Sequence, residues 1–417
     1  MRSLFIRAWF AAALSGSLAA QVKPGLDTTT WVVMGEGLAA GMGNFGLSSP
    51  LQNFSFPAQA AAQMHTGMSQ PLFEPPGIGN FIGTPTQEVR LHTYPQGSVR
   101  QFYSVPDSQV TSPPVFLTNL SVPQLTLTDS LSLRPAPPIA QRDMKQTTVN
   151  LILGFPQLFL DRVPLWTQFE YAQAMNPTMV LIELGYYEAL DAAVNLDPAR
   201  LPDPSVFGAQ YATLVAGMAT NHAQVIVATI PNPLDTAYFS SPATAASIVG
   251  ANPSVIISDW QITAQDYVAR AALSVISFQL LSASVAPLPA GSVLTASTAQ
   301  DLTARINALN AQIVNVARAQ RAVVWDLAGF LHQVKVGGVA AGSLTLTADY
   351  LGGFYTLDAV YPGPTGNALI ANNLLSFLNA TYGKGLPLID TAKVAALDPV
   401  VLYQKPAGAP GHIIRRK

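Results

Sequence analysis

Apolar runs that alternate with helical stripes predict a doubly wound α/β domain built on a parallel sheet. Three observations carry the prediction. Four short, largely apolar runs, Trp31–Met34, Met179–Leu184, Val225–Ile230 and Val323–Leu327, read as strands covered on both faces, Trp31–Met34 being apolar at every position. Each is preceded or followed by a helical pattern. The first run breaks into Gly35-Glu36-Gly37-Leu38-Ala39-Ala40-Gly41, whose glycines let the backbone turn sharply at a strand end, the place where open α/β sheets bind ligands.

The other elements follow in order. Val115–Leu120 reads as a fifth, weaker strand. The clearest helix spans Ala299–Gln320, with Leu302, Ile306, Leu309, Ile313 and Val316 on one face, Thr298 as its cap and Asp301 reaching back. A last helix follows Pro364-Thr365-Gly366 and lines up Leu369, Ile370, Leu374, Phe377 and Leu378. Two regions break the alternation. Residues 71–142 carry Pro75-Pro76, Pro113-Pro114 and Pro137-Pro138 and predict irregular chain or short hairpins. Residues 232–297 place a helix-like stretch, Ala264–Ser284, between Pro- and Ser-rich pieces. Long insertions of this kind serve as lids or binding loops. The expected division is a signal peptide at 1–20, one α/β domain at 28–384 and a tail at 385–417.

The 417 residues are 49% hydrophobic with a mean hydropathy of +0.29, which argues against disorder. Only 11% are charged, against about 25% in an average soluble domain. With a net charge of -2 and no basic run except Arg415-Arg416-Lys417, nothing invites a phosphate backbone, and nucleic acid is excluded as a partner. Residues 1–21 have the layout of an export signal: Arg2 and Arg7, the apolar run Ala8–Leu14, then Ser15-Gly16-Ser17-Leu18-Ala19-Ala20. The expected location is periplasmic or extracellular, with envelope association an option. The absence of cysteine removes disulfides and thiolate metal sites. Ala271–Pro287 is interrupted by Ser274, Ser277, Gln279 and Ser282 and falls short of the roughly 20 apolar residues of a span, so no transmembrane segment is expected after signal cleavage.

The order of sequence blocks resembles the SGNH, or GDSL-type, hydrolases, a family of esterases, lipases and carbohydrate deacetylases with a flavodoxin-like fold. Gly35-Glu36-Gly37-Leu38 stands where the family has Gly-Asp-Ser-Leu, and Asn119-Leu120-Ser121-Val122-Pro123-Gln124 resembles the second block, which ends in Gly. Leu184-Gly185-Tyr186-Tyr187-Glu188 takes the place of Gly-x-Asn-Asp. The stretch from Phe354 to Pro362, followed by Thr365–Asn372, is similar to the closing Asp-x-x-His-Pro block. The resemblance implies a Ser nucleophile, a His base and an Asp that orients it, with an oxyanion held by two backbone N–H groups and an Asn side chain. At those positions this sequence has Gly37 for Ser and Tyr361 for His, Gln124 for Gly and Tyr187 for Asn; only Asp358 remains. Glycine has nothing to attack with, and a tyrosine of ordinary pKa near 10 is a poor base at neutral pH. The catalytic set is therefore not intact.

Neither Ser48 nor Ser49, about eleven residues beyond Gly37, substitutes for the nucleophile, and none of the five histidines, His65, His92, His222, His332 and His412, falls in a catalytic block. The expected alignment gathers Glu36, Glu188 and Asp358 beside Tyr186, Tyr187 and Tyr361 at the strand ends. Carboxylates among tyrosines can bind a carbohydrate or acyl ligand, act as an acid–base pair on a glycosidic bond, or hold a hard cation such as Ca²⁺; Glu36 and Glu188 can equally serve as plain helix caps. No resident metal or cofactor is expected. The leading expectation is an exported, catalytically inactive member of this family that retains a cleft for an acyl or carbohydrate ligand. An active esterase or lipase with a non-standard nucleophile and a structural envelope protein stand as alternatives.

Overall fold

The computed structural model describes residues 25–73, 77–78, 117–155, 157–158, 163–220 and 223–403. The expected export signal, the Pro75-Pro76 and Pro113-Pro114 pairs, His92, His222, His412 and the basic tail lie outside them. Among the described residues the strands are β1 Trp31–Gly35, β2 Met179–Glu183, β3 Gln224–Ala228, β4 Phe239–Ser240, β5 Tyr267–Ala269, β6 Val293–Leu294, β7 Val323–Trp325, β8 Val339–Ala341 and β9 Leu344–Leu346.

The main sheet is parallel with the order β1-β2-β3-β7. Gly35 aligns with Glu183, Leu181 with Ile226 and Val227 with Val324. On the free side of β1, Val33 donates to Thr118 O at 2.8 Å and Leu120 donates to Val33 O at 2.9 Å. The segment 117–120 therefore runs parallel to β1, and the chain visits the sheet in the flavodoxin-like order 2-1-3-4-5. Every side chain of β1 and β2 is buried, which requires cover on both faces. The helix Pro204–Ala219 packs with Ala296–Gln320, and Phe56–Met64 packs with Pro364–Tyr382. Burial on both faces is the reason these runs are continuously apolar instead of alternating.

Element ends differ from expectation where polar side chains intervene. The long helix begins at Ala296 because Thr295, not Thr298, caps it; Asp301 instead pairs with Arg305 one turn on. The fourth sheet strand stops at Trp325 because the Asp326 side chain accepts from Gly329 N and starts the helix Leu327–Gly337. The described residues of 71–142 hold regular structure at 117–132. Besides the strand segment, Thr126 and Asp129 form a reciprocal capping box on the helix Leu127–Ser132.

The second insertion is a small folded unit. Strands β4, β5 and β6 form an antiparallel sheet with β5 in the middle, and the helices Pro242–Val249, Pro253–Trp260 and Arg270–Ser282 close a separate apolar cluster with Ala246, Ile256, Val268 and Ile276. The helix begins at Arg270 and not near Ala264, because Asp266 accepts from Thr263 N at 2.7 Å and Ala296 N at 2.8 Å and so holds the chain in a turn. Residues 385–403 pack onto the domain: Asp398 caps Thr365 N at 2.8 Å, and Asn372 exchanges two bonds with Ile389. Among the described residues no helix is long and apolar enough to cross a membrane.

Candidate functional site

The C-terminal ends of β1 and β2 bring Glu36, Gly37, Glu183, Tyr186 and Glu188 together, and the loop 354–362 lowers Asp358 and Tyr361 onto them. Glu36 is the hinge between strand and helix. Its side chain caps the short helix Gly37–Ala40, accepting from Leu38 N at 2.7 Å, while its other carboxylate oxygen accepts from the Tyr361 hydroxyl at 3.1 Å. The N–H groups of Gly37 and Gln124 add further support to the same carboxylate. These are the two backbone donors that the family resemblance assigns to the oxyanion. Gln124 keeps a left-handed backbone, with φ of 68°, at the position where the resemblance expects glycine.

The glycine at 37 matters by what stands over it. A β-carbon there would lie 2.6 Å from Tyr361 Oη and 2.8 Å from Tyr361 Cζ, so the phenol fills the volume that a serine side chain would need. Tyr361 packs edge-on against Tyr186 at 6.3 Å between ring centres, and Tyr186 in turn donates to Val360 O at 3.1 Å. Asp358 is fully buried, but it orients no imidazole. One of its oxygens accepts from Val360 N and Tyr361 N, each at 2.9 Å, so it holds its own loop in shape.

Among the described residues these acids have no cation beside them. Burial pushes the Glu36 carboxyl up to about 7 against the opposing pull of its backbone donors. Burial also raises Glu188 to about 7, although Leu127 N donates to it at 2.7 Å. Asp358 is raised for the same reason. Burial lifts the phenols of Tyr361 and Tyr186 well above 10, and the nearby carboxylates add to the effect, so neither tyrosine is a base at neutral pH.

A further acid, Glu183, was not among the residues singled out from the sequence. It ends β2 opposite Gly35, and a β-carbon on Gly35 would meet Glu183 Oε2 at 2.9 Å. The same oxygen accepts from Glu36 N at 3.3 Å. Burial, then the Glu36 charge, raises its pKa well above the usual carboxylate range. A lone Glu inside the apolar run Met179–Leu184 was the available signal, since a charge in a doubly covered strand must end in a special environment.

Of the sequence candidates, Glu36, Gly37, Tyr186, Asp358 and Tyr361 meet in one cluster, and the backbone of Gln124 joins it. Glu188 is buried beside them with its carboxylate turned to Leu127; Tyr187, by contrast, is half-buried and makes no hydrogen bond among the described residues. Glu36, Tyr186, Asp358 and Tyr361 are at most 2% exposed, so the cluster is packed shut rather than open as a mouth. Among the described residues no group of three or more acidic or histidine side chains is placed to hold a metal ion. His65 ends a helix, and His332 pairs with Asp235 at 3.1 Å on the surface; neither approaches the cluster through any described contact.

No protein-family model and no curated protein matches the chain. Among solved structures it is similar to LAE5, an alpha/beta hydrolase enzyme from the metagenome of Lake Arreo, Spain, at 12% identity and TM-score 0.36 over 84% of this chain and 95% of that one. It is also similar to TesA at 12% identity and TM-score 0.32 over 84% and 97%. Likeness at this level says nothing of activity, and the α/β class of the chain follows from its own strand order.

Proposed function

We propose that this chain is an exported SGNH-type protein that no longer hydrolyses esters, its former catalytic centre having become part of the core. One observation carries the reading: Tyr361 fills the space above Gly37 and hydrogen-bonds Glu36, whose carboxylate is supported by the N–H groups of Gly37 and Gln124. A substrate oxyanion would have to displace a covalently attached carboxylate from the same donors. In triad hydrolases, removal of the triad leaves about 10³ to 10⁴-fold acceleration that comes from the oxyanion hole and binding. A blocked hole forfeits that remainder as well. Export is supported by the charge, apolar run and small residues of 1–21.

The test is a fluorophosphonate probe together with short-chain p-nitrophenyl esters. The expected result is no covalent labelling and hydrolysis at the rate of buffer. Stoichiometric labelling of any serine would overturn the reading in favour of an esterase with a non-standard nucleophile.

A further inference from the structure

The insertion and the main domain meet in an open cleft of about 550 Å³ that shares no residue with the Glu36 cluster. Ser241, Gln265, Asp266 and Tyr267 line it from the insertion, and Gln300, Thr303 and Asn307 line it from the helix Ala296–Gln320. The size is that of ordinary small-molecule sites, which favour junctions between folded units. Two polar ties set the walls relative to one another. Asp266 bonds Ala296 N at 2.8 Å, and Asn232 Nδ2 donates to Thr303 Oγ1 at 3.0 Å.

The lining has a definite chemistry. Gln300, Thr303 and Asn307 follow the three- and four-residue spacing that puts side chains on one helix face. Among the described residues, Gln265, Gln300 and Asn307 spend no amide group within the protein, and the Tyr267 phenol is likewise uncommitted. Among the described residues no Lys, Arg or His lines the cleft. Its one acid, Asp266, has both oxygens committed to the backbone N–H groups of Thr263 and Ala296. Three amides that can each donate and accept, beside one aromatic face and a single carboxylate anchored to the backbone, match neutral hydroxyl groups and the C–H faces between them. A peptide cannot add as a strand beside Tyr267, because β5 is already paired on both sides by β4 and β6.

We infer that this cleft binds a neutral carbohydrate chain. The inference does not depend on whether the Glu36 cluster is catalytic. Titration of the full chain with maltohexaose, cellohexaose, xylohexaose and chitohexaose by calorimetry and saturation-transfer NMR tests it. At least one sugar binds saturably, and Gln300→Ala combined with Asn307→Ala weakens it by about tenfold or more. Both positions are exposed on a helix and alanine favours helix, so the variant keeps its fold; a circular-dichroism melt checks this. Failure of all four sugars to bind overturns the ligand class, as does saturable binding of a neutral Gln/Ser-rich decapeptide that the double variant abolishes. Sugar binding that the double variant leaves intact overturns the location.

Discussion

Tyr361 and a side chain at position 37 are sterically exclusive: the phenol oxygen stands 2.6 Å from the point a β-carbon on Gly37 would occupy. A serine cannot be restored without moving the tyrosine. Gly37→Ser alone is expected to destabilise the fold by about 1–3 kcal/mol, the usual cost of overpacking a core. Gly37→Ser with Tyr361→His relieves the overlap and recovers most of that loss, which urea denaturation of the two variants measures. Ester hydrolysis by the double variant stays low while Glu36 keeps the anion site. Adding Glu36→Asp, one methylene shorter, raises it, as p-nitrophenyl acetate turnover would register.

Among the described residues the Tyr361 hydroxyl is the one side-chain donor on Glu36. Tyr361→Phe is expected to cost about 1–2 kcal/mol, since a buried acceptor loses its partner while the ring packing stays. The loss shows in urea unfolding and is larger at pH 8 than at pH 5, because the bond matters most when Glu36 is ionised.

Stability should fall as pH rises from about 4.5 to about 7. Glu36 and Glu188 titrate near 7 in the folded chain because burial disfavours their charge, and near 4.5 when unfolded. Between those values the folded state holds more protons than the unfolded one, so the stabilisation is full below about 4.5 and is lost through 7. A shift of this size amounts to about 3 kcal/mol for each group at most. Thermal melts at pH 5, 6, 7 and 8 should give a falling midpoint, and Glu36→Gln should flatten the slope. A midpoint that rises over this range would contradict the burial of these acids.

Gln168 ties the sheet edge together. Its amide donates to Gly35 O at 2.9 Å and Leu120 O at 2.8 Å, and its carbonyl accepts from Ser130 at 2.8 Å. Gln168→Leu would leave the Leu120 carbonyl and the Ser130 hydroxyl without this partner and Gly35 O with only the longer bond from Val122 N at 3.2 Å. The expected cost is about 2–4 kcal/mol, read from chemical denaturation, with faster hydrogen exchange at Leu120 and Val122.

Ending the chain at residue 384 removes the Asp398 cap on Thr365 and the Asn372 bonds to Ile389. A lower melting midpoint is expected, by more than Asp398→Ala alone, whose cap loss costs about 1 kcal/mol.

Much of the architecture was legible in the chain because it rests on local chemistry. Short apolar runs such as Trp31–Met34 and Met179–Ile182 read as strands covered on both faces, and the stripe from Leu302 to Ile313 reads as one side of a long helix. The missing nucleophile and base at Gly37 and Tyr361 were equally plain, since a side chain that is absent needs no coordinates. What lay beyond the sequence were facts of distance between remote segments. Strands β4 to β6 have two or three residues each, too few to show a period, and become visible only when paired. Whether Glu36 faced a ligand or the protein itself depended on where a tyrosine 325 positions away placed its hydroxyl. Glu183 gained its importance from Gly35 on the neighbouring strand, whose missing side chain leaves room for a buried acid. Periodicity along a chain fixes which faces are apolar; the fate of a buried charge is set by what other segments bring to it in three dimensions.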